Sequence, residues 1–242
     1  MLKGKVALVT GGAGGIGSAI VRELDSQGVN VAVHVNTSVH EGKALAASVD
    51  GTVHYADLTD PAGPQRLIDS VLGKHARIDI LVNNAGTVGA AGPWHSQPVD
   101  EMARVACLNL YAPLQLSQMT MGLMGQFGWG RIVNISSIYG THGSPYVLPY
   151  SLSKAGLDSM TRALAIDGAG SGVTVNAIAP GNVDTPMTRR AGDDYVTDVI
   201  AKTPLQRLGD PEEVASAVSF LVKCGFVTGQ VLVIDGGLSL VR

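Results

Sequence analysis

Cysteine is nearly absent from this 242-residue chain: Cys107 and Cys224 stand far apart, with no CxxC pair and no histidine at zinc-ligand spacing. That excludes a disulfide scaffold and a cysteine-based zinc site. Aromatic residues make up only 5% and charged residues 15%, with 17 Lys plus Arg against 20 Asp plus Glu, a formal net charge of −3. A balance so slight supplies no basic field for nucleic acid or for an anionic membrane surface. No apolar run approaches the roughly 18 residues that a membrane span requires. The run Val6 to Val9 stops at a glycine cluster, too short for a secretory core. Together these absences predict a protein of the reducing cytoplasm. The six histidines, at 34, 40, 54, 75, 95 and 142, form no HExxH or i, i+4 arrangement, so no metal site is expected.

What the chain does have is apolar residues, 45% of the total, and 31 glycines. The apolar residues fall in short β-branched runs: 6–9, 29–35, 53–55, 78–82, 131–135, 173–178 and 231–234. Each reads as a strand buried on both faces. Helix-length segments lie between them, at about 15–27, 39–48, 61–75, 99–123, 150–168 and 211–223. Strand and helix alternating in this way predict a parallel sheet with helices on both sides, because parallel neighbours need crossover connections. The expected fold is a three-layer, doubly wound α/β/α Rossmann arrangement of about seven strands, with ligands at the carboxyl ends of the strands. No Ser/Gly/Pro linker divides it, so residues 1–242 are expected to form one domain. The weakly patterned stretch 185–208 is a lid candidate.

The first predicted strand runs into Thr10-Gly11-Gly12-Ala13-Gly14-Gly15-Ile16-Gly17 and then a helical pattern. A strand-to-helix turn of this kind offers backbone N–H groups and the helix dipole to a pyrophosphate, and glycine lets the backbone approach it. Two spacings fit: Gly12, Gly14 and Gly17 as GxGxxG, or Gly11, Gly15 and Gly17 as TGxxxGxG. The second strand ends Asn36-Thr37-Ser38, with no carboxylate before Glu41. An acid there would bind a ribose 2′-hydroxyl and repel a 2′-phosphate. Its absence favours NADP(H) over NAD(H), although no Arg or Lys stands at Gly14 or Thr37 to clamp the phosphate.

The strongest chemical signal is Tyr150-Ser151-Leu152-Ser153-Lys154. On a helix, positions i and i+4 share a face, which sets a phenol beside an ammonium. A nearby cation favours phenolate and should lower the tyrosine pKa toward the working pH, as a general acid/base needs. Ser137 lies upstream at the end of a predicted strand. With TGGAGGIG at 10–17, Asn83-Asn84-Ala85-Gly86, Asn109, Ser137, YxxxK at 150–154, Pro180-Gly181 with Thr185, Arg207-Leu208-Gly209 with Pro211-Glu212-Glu213, and Val233-Ile234-Asp235-Gly236-Gly237 in order, the chain resembles the short-chain dehydrogenase/reductase family over its whole length. Within that family it resembles the single-domain, 3-oxoacyl-acyl-carrier-protein-reductase-like branch.

That resemblance implies an NAD(P)-dependent oxidoreductase interconverting a carbonyl and a secondary alcohol. Tyr150 would exchange a proton with the substrate oxygen, Ser137 would hydrogen-bond that oxygen, Lys154 would bind the nicotinamide ribose, and Asn109 would hold a relay water. Gly11, Gly15, Ile16 and Gly17 would cradle the pyrophosphate, with Asn36, Thr37 and Ser38 at the adenosine ribose. Asp57 and Leu58 would meet the adenine, and Asn83, Ala85 and Gly86 the adenosine side. Ile178, Pro180, Gly181, Val183 and Thr185 would face the nicotinamide and diphosphate. Trp94, Tyr139, Tyr146 and Met187 would wall a small-molecule substrate. His142 reads as a solvated loop residue, and Met119, Met121 and Met124 as packing. A homotetramer is expected, with the apolar end 237–242 against a partner. Two readings compete: a silent nucleotide-binding sensor, and a cofactor-free lyase resembling the halohydrin dehalogenases. The filled catalytic positions oppose the first, and the intact glycine turn with Lys154 opposes the second.

Overall fold

The computed structural model describes residues 2–241. Seven strands, β1 (Val6–Val9), β2 (Asn30–Val35), β3 (Thr52–Tyr55), β4 (Ile80–Asn83), β5 (Gly130–Ile135), β6 (Val173–Pro180) and β7 (Val231–Ile234), pair in parallel in the order β3-β2-β1-β4-β5-β6-β7. The order reverses between β1 and β4, which leaves a crevice above their carboxyl ends. Among the described residues ten α-helices connect the strands: α1 (Gly15–Asp25), α2 (Val39–Ser48), α3 (Gly63–His75), α4 (Val99–Ala106), α5 (Ala112–Gln126), α6 (Ile138–His142), α7 (Leu148–Ala169), α8 (Pro186–Arg189), α9 (Asp193–Lys202) and α10 (Pro211–Lys223). This is the expected α/β/α Rossmann arrangement.

The period-2 alternation of each strand sorts its side chains into two cores. Ala7 and Val9 of β1 pack with Val31, Val33 and Val35 against α1, α2 and α10. Leu8 joins Ala32, Leu81 and Ile132 against α3, α5 and α7. Burying each such Leu, Ile or Val contributes roughly 1.5–3 kcal/mol, so both faces are needed to hold the sheet. Burial on both faces does not extend to the edges: Leu232 and Val233 of β7 are 37% and 43% exposed, and Tyr55 of β3 is exposed too. An edge strand has a neighbour on one side only, and the two-layer cover thins there.

Lys5, Arg77 and Asp79 tie the amino end of β1 to the start of β4, with the Asp79 carboxylate also accepting from the Val6 backbone N–H at 2.9 Å. The long segment expected at 99–123 is α4 and α5 joined through a π-helical turn at Cys107–Tyr111. That turn carries Asn109, and such π-bulges gather at functional sites. Residues 185–208 contain α8 and α9, whose Val196 and Val199 pack on Leu208 as a small core of their own. No helix among the described residues is long and apolar enough to cross a membrane.

Candidate active site

The glycine turn follows β1 directly. Gly11 has φ +61°, a left-handed conformation that glycine adopts without strain, and a Cβ there would touch Ala85 Cα at 3.0 Å. A Cβ on Gly17 would lie 2.3 Å from the Gly11 carbonyl oxygen, and one on Gly15 2.7 Å from Thr185 Cγ2. Gly14 meets nothing nearer than the Gly11 oxygen at 3.3 Å. Positions 11, 15 and 17 are therefore the constrained ones, which selects TGxxxGxG; Gly12 is fixed for a different reason, packing on Val33 beneath the turn. The turn with the amino end of α1 forms a backbone-lined cradle that fits a pyrophosphate.

Asn84 holds this cradle in place. Its Nδ2 donates to the Thr10 and Gly11 carbonyls at 2.9 and 3.0 Å, while Thr10 Oγ1 accepts the Asn84 and Ala85 amides. In the sequence Asn84 is one of the Asn83-Asn84-Ala85-Gly86 run, with nothing to mark it as the residue that holds the turn. The side chain of Asn83 is directed elsewhere, its Nδ2 donating to Ser117 Oγ at 3.2 Å and Asn134 Oδ1 at 2.8 Å. Leu58 likewise belongs to the core against α3, so only its backbone is left to meet a ligand. Asn36, Thr37 and Ser38 are exposed at the end of β2. Asp57 accepts from the Thr59 amide and hydroxyl at 2.8 and 2.7 Å, bonds that hold its pKa below the usual carboxylate range.

On the other side of the crevice β5 ends at Ile135, and Ser137 caps α6 by accepting from the Tyr139 amide. Proline in the first turn starts α7, whose face brings Tyr150 and Lys154 together, with the Lys154 Nζ 5.5 Å from the Tyr150 ring centroid. Lys154 is almost fully buried and donates to the Ile135 carbonyl at 2.7 Å. Tyr150 is hydrogen-bonded to Ser137, and the Tyr139 ring meets it edge-on at 6.4 Å. Gly86 completes the floor, where a Cβ would approach Asn109 Oδ1 at 3.2 Å and Lys154 Nζ at 3.7 Å. Asn109 is wholly buried; its Oδ1 accepts from the Thr87 amide, and its Nδ2 donates to the Thr87 carbonyl and to Ser153 Oγ.

The electrostatics differ from the expected picture at one point. Burial raises the Tyr150 pKa, and the hydrogen bond from Ser137 opposes that rise only in part; no lowering by Lys154 prevails. Lys154 itself is lowered to about 8 by burial, with the carboxylate of Asp158 acting the other way. Asp158, one helical turn on and also buried, has its own pKa raised by desolvation.

Pro180 ends β6 and Gly181 abuts Asp235, where a Cβ would fall 2.8 Å from Asp235 Cβ. Val183 is buried and pairs with Gly209, and Thr185 caps α8 over Gly15. Among the four substrate-wall candidates only Tyr139 meets the Tyr150 ring. Trp94, Tyr146 and Met187 are exposed on three segments, the first two linked by a Gly92 amide to Tyr146 carbonyl bond of 2.8 Å. His142 is exposed, as expected, but it ends helix α6 with its Nδ1 3.2 Å from the Ile138 carbonyl oxygen and is not in a loop; Met124 is core, as expected. Cavities of about 280 Å³ (Asn182, Arg207, Asp235) and 480 Å³ (His54, Ser70, Lys74) are lined by neither Tyr150 nor Lys154. The site is an open crevice at the strand ends, located by its polar groups.

A glycine cradle facing a half-buried tyrosine beside a buried lysine, across a topological switch point, defines a nucleotide-dependent oxidoreductase. Residues 11–239 match the family model described as enoyl-(acyl carrier protein) reductase. The chain is 38% identical to the 3-oxoacyl-[acyl-carrier-protein] reductase of Thermotoga maritima, over 98% of both chains. It is similar in structure to a blue fluorescent protein from a metagenomic library in complex with NADPH (TM-score 0.91, 34% identity, 98% of both chains). It is similar also to levodione reductase (TM-score 0.95, 28% identity, 100% of both chains). The chain belongs to the short-chain dehydrogenase/reductase family and is an NAD(P)-dependent oxidoreductase of the 3-oxoacyl-carrier-protein-reductase-like kind.

Proposed function

We propose that this protein reduces the carbonyl of a small molecule to a secondary alcohol, with Tyr150 as the proton donor. The observation that carries the reading is the convergence of Ser137, Tyr150 and Lys154 at the β5 end of the crevice, facing the glycine cradle. When bound, a reduced nicotinamide supplies the hydride. The chain's own task is orientation and proton transfer. A phenol whose pKa is raised stays protonated at neutral pH and can donate to an oxygen that gains charge. Ser137 shares that oxygen through its hydroxyl. Lys154 spends one of its three N–H bonds on Ile135 and keeps two for the ribose hydroxyls. Asn109, Thr87 and Ser153 fix the floor on which a relay water would rest.

NADP(H) is favoured over NAD(H), supported by the exposed Asn36-Thr37-Ser38 with no carboxylate and by the NADPH-bound relative. Gly11, Gly15, Ile16 and Gly17 take the pyrophosphate, Asp57 and the Leu58 backbone the adenine, Ala85 and Gly86 the adenosine side, and Pro180, Gly181, Val183 and Thr185 the nicotinamide end. Residues 1–242 act as one domain with 185–208 as lid, which the packing of Thr185 on Gly15 supports. The relatives named for 3-oxoacyl carrier protein and levodione suggest a ketone flanked by apolar bulk, walled by Tyr139 with Trp94, Tyr146 and Met187. The protein works in the cytoplasm as a homotetramer. The assembly is supported by apolar side chains left exposed on the α4–α5 segment (Val99, Tyr111), on α7 (Leu152, Ile166) and at the C-terminal end (Leu240, Val241), whereas Leu238 is buried within its own chain.

The test is Tyr150→Phe, which keeps the ring and removes the proton. It should cut kcat for NADPH-dependent ketone reduction by at least about a hundredfold, the lower range for a positioned acid, while NADPH affinity by fluorescence stays within about threefold, less than one hydrogen bond. Undiminished kcat would remove Tyr150 from the mechanism.

A further inference from the structure

His34 is a buried titratable group that the reaction described above does not use. It lies on β2, 2% exposed, and both of its ring nitrogens are engaged. The backbone amide of Gly11 reaches Nδ1 at 3.2 Å, and Nε2 stands 3.0 Å from the Ala56 carbonyl oxygen. An amide can only donate and a carbonyl can only accept, so the ring must be neutral with its proton on Nε2. The backbone of the same residue holds the next position, the His34 carbonyl accepting from the Gly12 amide at 2.9 Å. One residue thus grips two consecutive amides at the start of the pyrophosphate cradle and ties them to the end of β3, just before Asp57.

We propose that neutral His34 is a positioning residue for the dinucleotide, and that its protonation opens the cradle and releases the cofactor at acid pH. The inference rests on the reading of the glycine turn as the dinucleotide site. A proton on Nδ1 would face the Gly11 N–H donor against donor. Gly11 sits at φ +61° and carries the carbonyl that Asn84 and the Gly17 backbone pack against, so a shift there moves the cradle itself.

The groups around His34 agree with a neutral ring. Burial lowers its pKa from 6.5, while the Ala56 bond and the charge of Asp57 act the other way. His54, its cross-strand neighbour on β3, is lowered to about 4 and hydrogen-bonds Ser70 and Thr52. His75 and Lys74 of α3 lie beyond His54, and Asp60, paired with Arg66, lies beyond Asp57. The glycine turn itself, residues 10–17, holds no titratable side chain.

The experiment is NADPH and NADH binding by fluorescence at pH 7.5 and pH 5.0 for the wild type, His34→Asn and His34→Leu, with folding checked by circular dichroism. Asn carries its oxygen at the same remove from the backbone as Nδ1 of histidine, accepts from the Gly11 amide and does not titrate. His34→Leu leaves that amide without an acceptor. The expected result is a wild-type dissociation constant that rises at least about fivefold on going to pH 5.0. His34→Asn should differ less than about twofold between the two pH values, and His34→Leu should be weaker by about tenfold at both, the size of one lost hydrogen bond at a buried amide. Equal acid weakening in wild type and His34→Asn overturns the proposal and leaves the dinucleotide site standing. Absence of binding by the wild type at pH 7.5 with either nucleotide overturns both.

Discussion

Three alanine substitutions along the glycine turn separate steric necessity from mere glycine content. In Gly17→Ala the new methyl would sit 2.3 Å from the Gly11 carbonyl oxygen and 2.8 Å from Asn84 Nδ2. Backbone cannot yield as a side chain does, so α1 must slide or Asn84 must release the Thr10 and Gly11 carbonyls. Overpacking of this kind costs about 1–3 kcal/mol, and one or two lost bonds about 1 kcal/mol each, against about 1 kcal/mol regained from alanine's helix preference. A net loss of about 3 kcal/mol in a chain of this size lowers Tm by roughly 6–12 °C. Gly14→Ala meets only the Gly11 oxygen at 3.3 Å, at φ −75°, and loses under about 1 kcal/mol as a poorer N-cap. Gly15→Ala presses on Thr185, the side chain that caps the short helix α8, so its effect should appear as weaker NADPH binding more than as a lower Tm. Thermal denaturation with a parallel NADPH titration measures all three. If Gly14→Ala melts as low as Gly17→Ala, the assignment of the cradle to positions 11, 15 and 17 is wrong.

The pKa of Lys154 makes a second prediction. Its native value of about 8 lies below the 10.5 of an unfolded lysine. The native state therefore sheds the proton first, and stability should rise between about pH 8 and pH 10.5 by on the order of 3 kcal/mol. Ribose binding should fall as pH passes about 8, where the folded lysine loses its cation. In Lys154→Met the alkaline rise in Tm should vanish; if it persists, another group is responsible. For cofactor choice, Thr37→Arg at the exposed end of β2 should tighten NADPH about tenfold and change NADH less than about twofold, because a guanidinium pairs with a 2′-phosphate and finds nothing comparable on a hydroxyl. Initial rates with both cofactors decide it, and equal gains for both would refute the placement of Thr37 beside the ribose.

Much of the architecture was legible because the strands are short apolar runs between glycine turns and longer amphipathic segments. The parallel pairing follows from that alternation and from the need for crossovers, whereas the order of the strands is seen only in the structure. Three helices escaped notice: α6 and α8, of five and four residues, are too short for a 3.6 period to register, and the apolar face of α9 is confined to two adjacent pairs, Tyr195-Val196 and Val199-Ile200. The edge strands were misjudged because β-branched runs look alike whether or not a neighbour covers them. At the site, the i, i+4 spacing set Tyr150 and Lys154 on one helix face, where the structure also has them, while two glycine spacings stayed open until the contacts of each glycine were known. Spacing could not tell that Asn83 faces Asn134 while Asn84 faces the turn, since side chains alternate and the register to β5 is set by the sheet. His34 went unread for a related reason. A polar residue in an apolar strand shows its purpose only when the partners of both nitrogens are known.

The tyrosine shows why a motif can locate chemistry and still misstate its energetics. The i, i+4 spacing puts an ammonium near a phenol, and Coulomb attraction alone lowers the phenol's pKa. The same packing takes water from both groups, more completely from Lys154 than from the half-buried Tyr150, and desolvation favours the uncharged form of each: it raises Tyr150 and lowers Lys154. With the Lys154 nitrogen directed to the Ile135 carbonyl and 5.5 Å from the ring centroid, burial is the larger effect on the phenol. A site tuned in this way holds an acid at neutral pH, which suits proton delivery during carbonyl reduction. Alcohol oxidation needs the phenolate, so the balance between the two directions must shift toward oxidation as pH rises. A cationic group placed near the hydroxyl would oppose the burial, lower the Tyr150 pKa and move that crossover to lower pH.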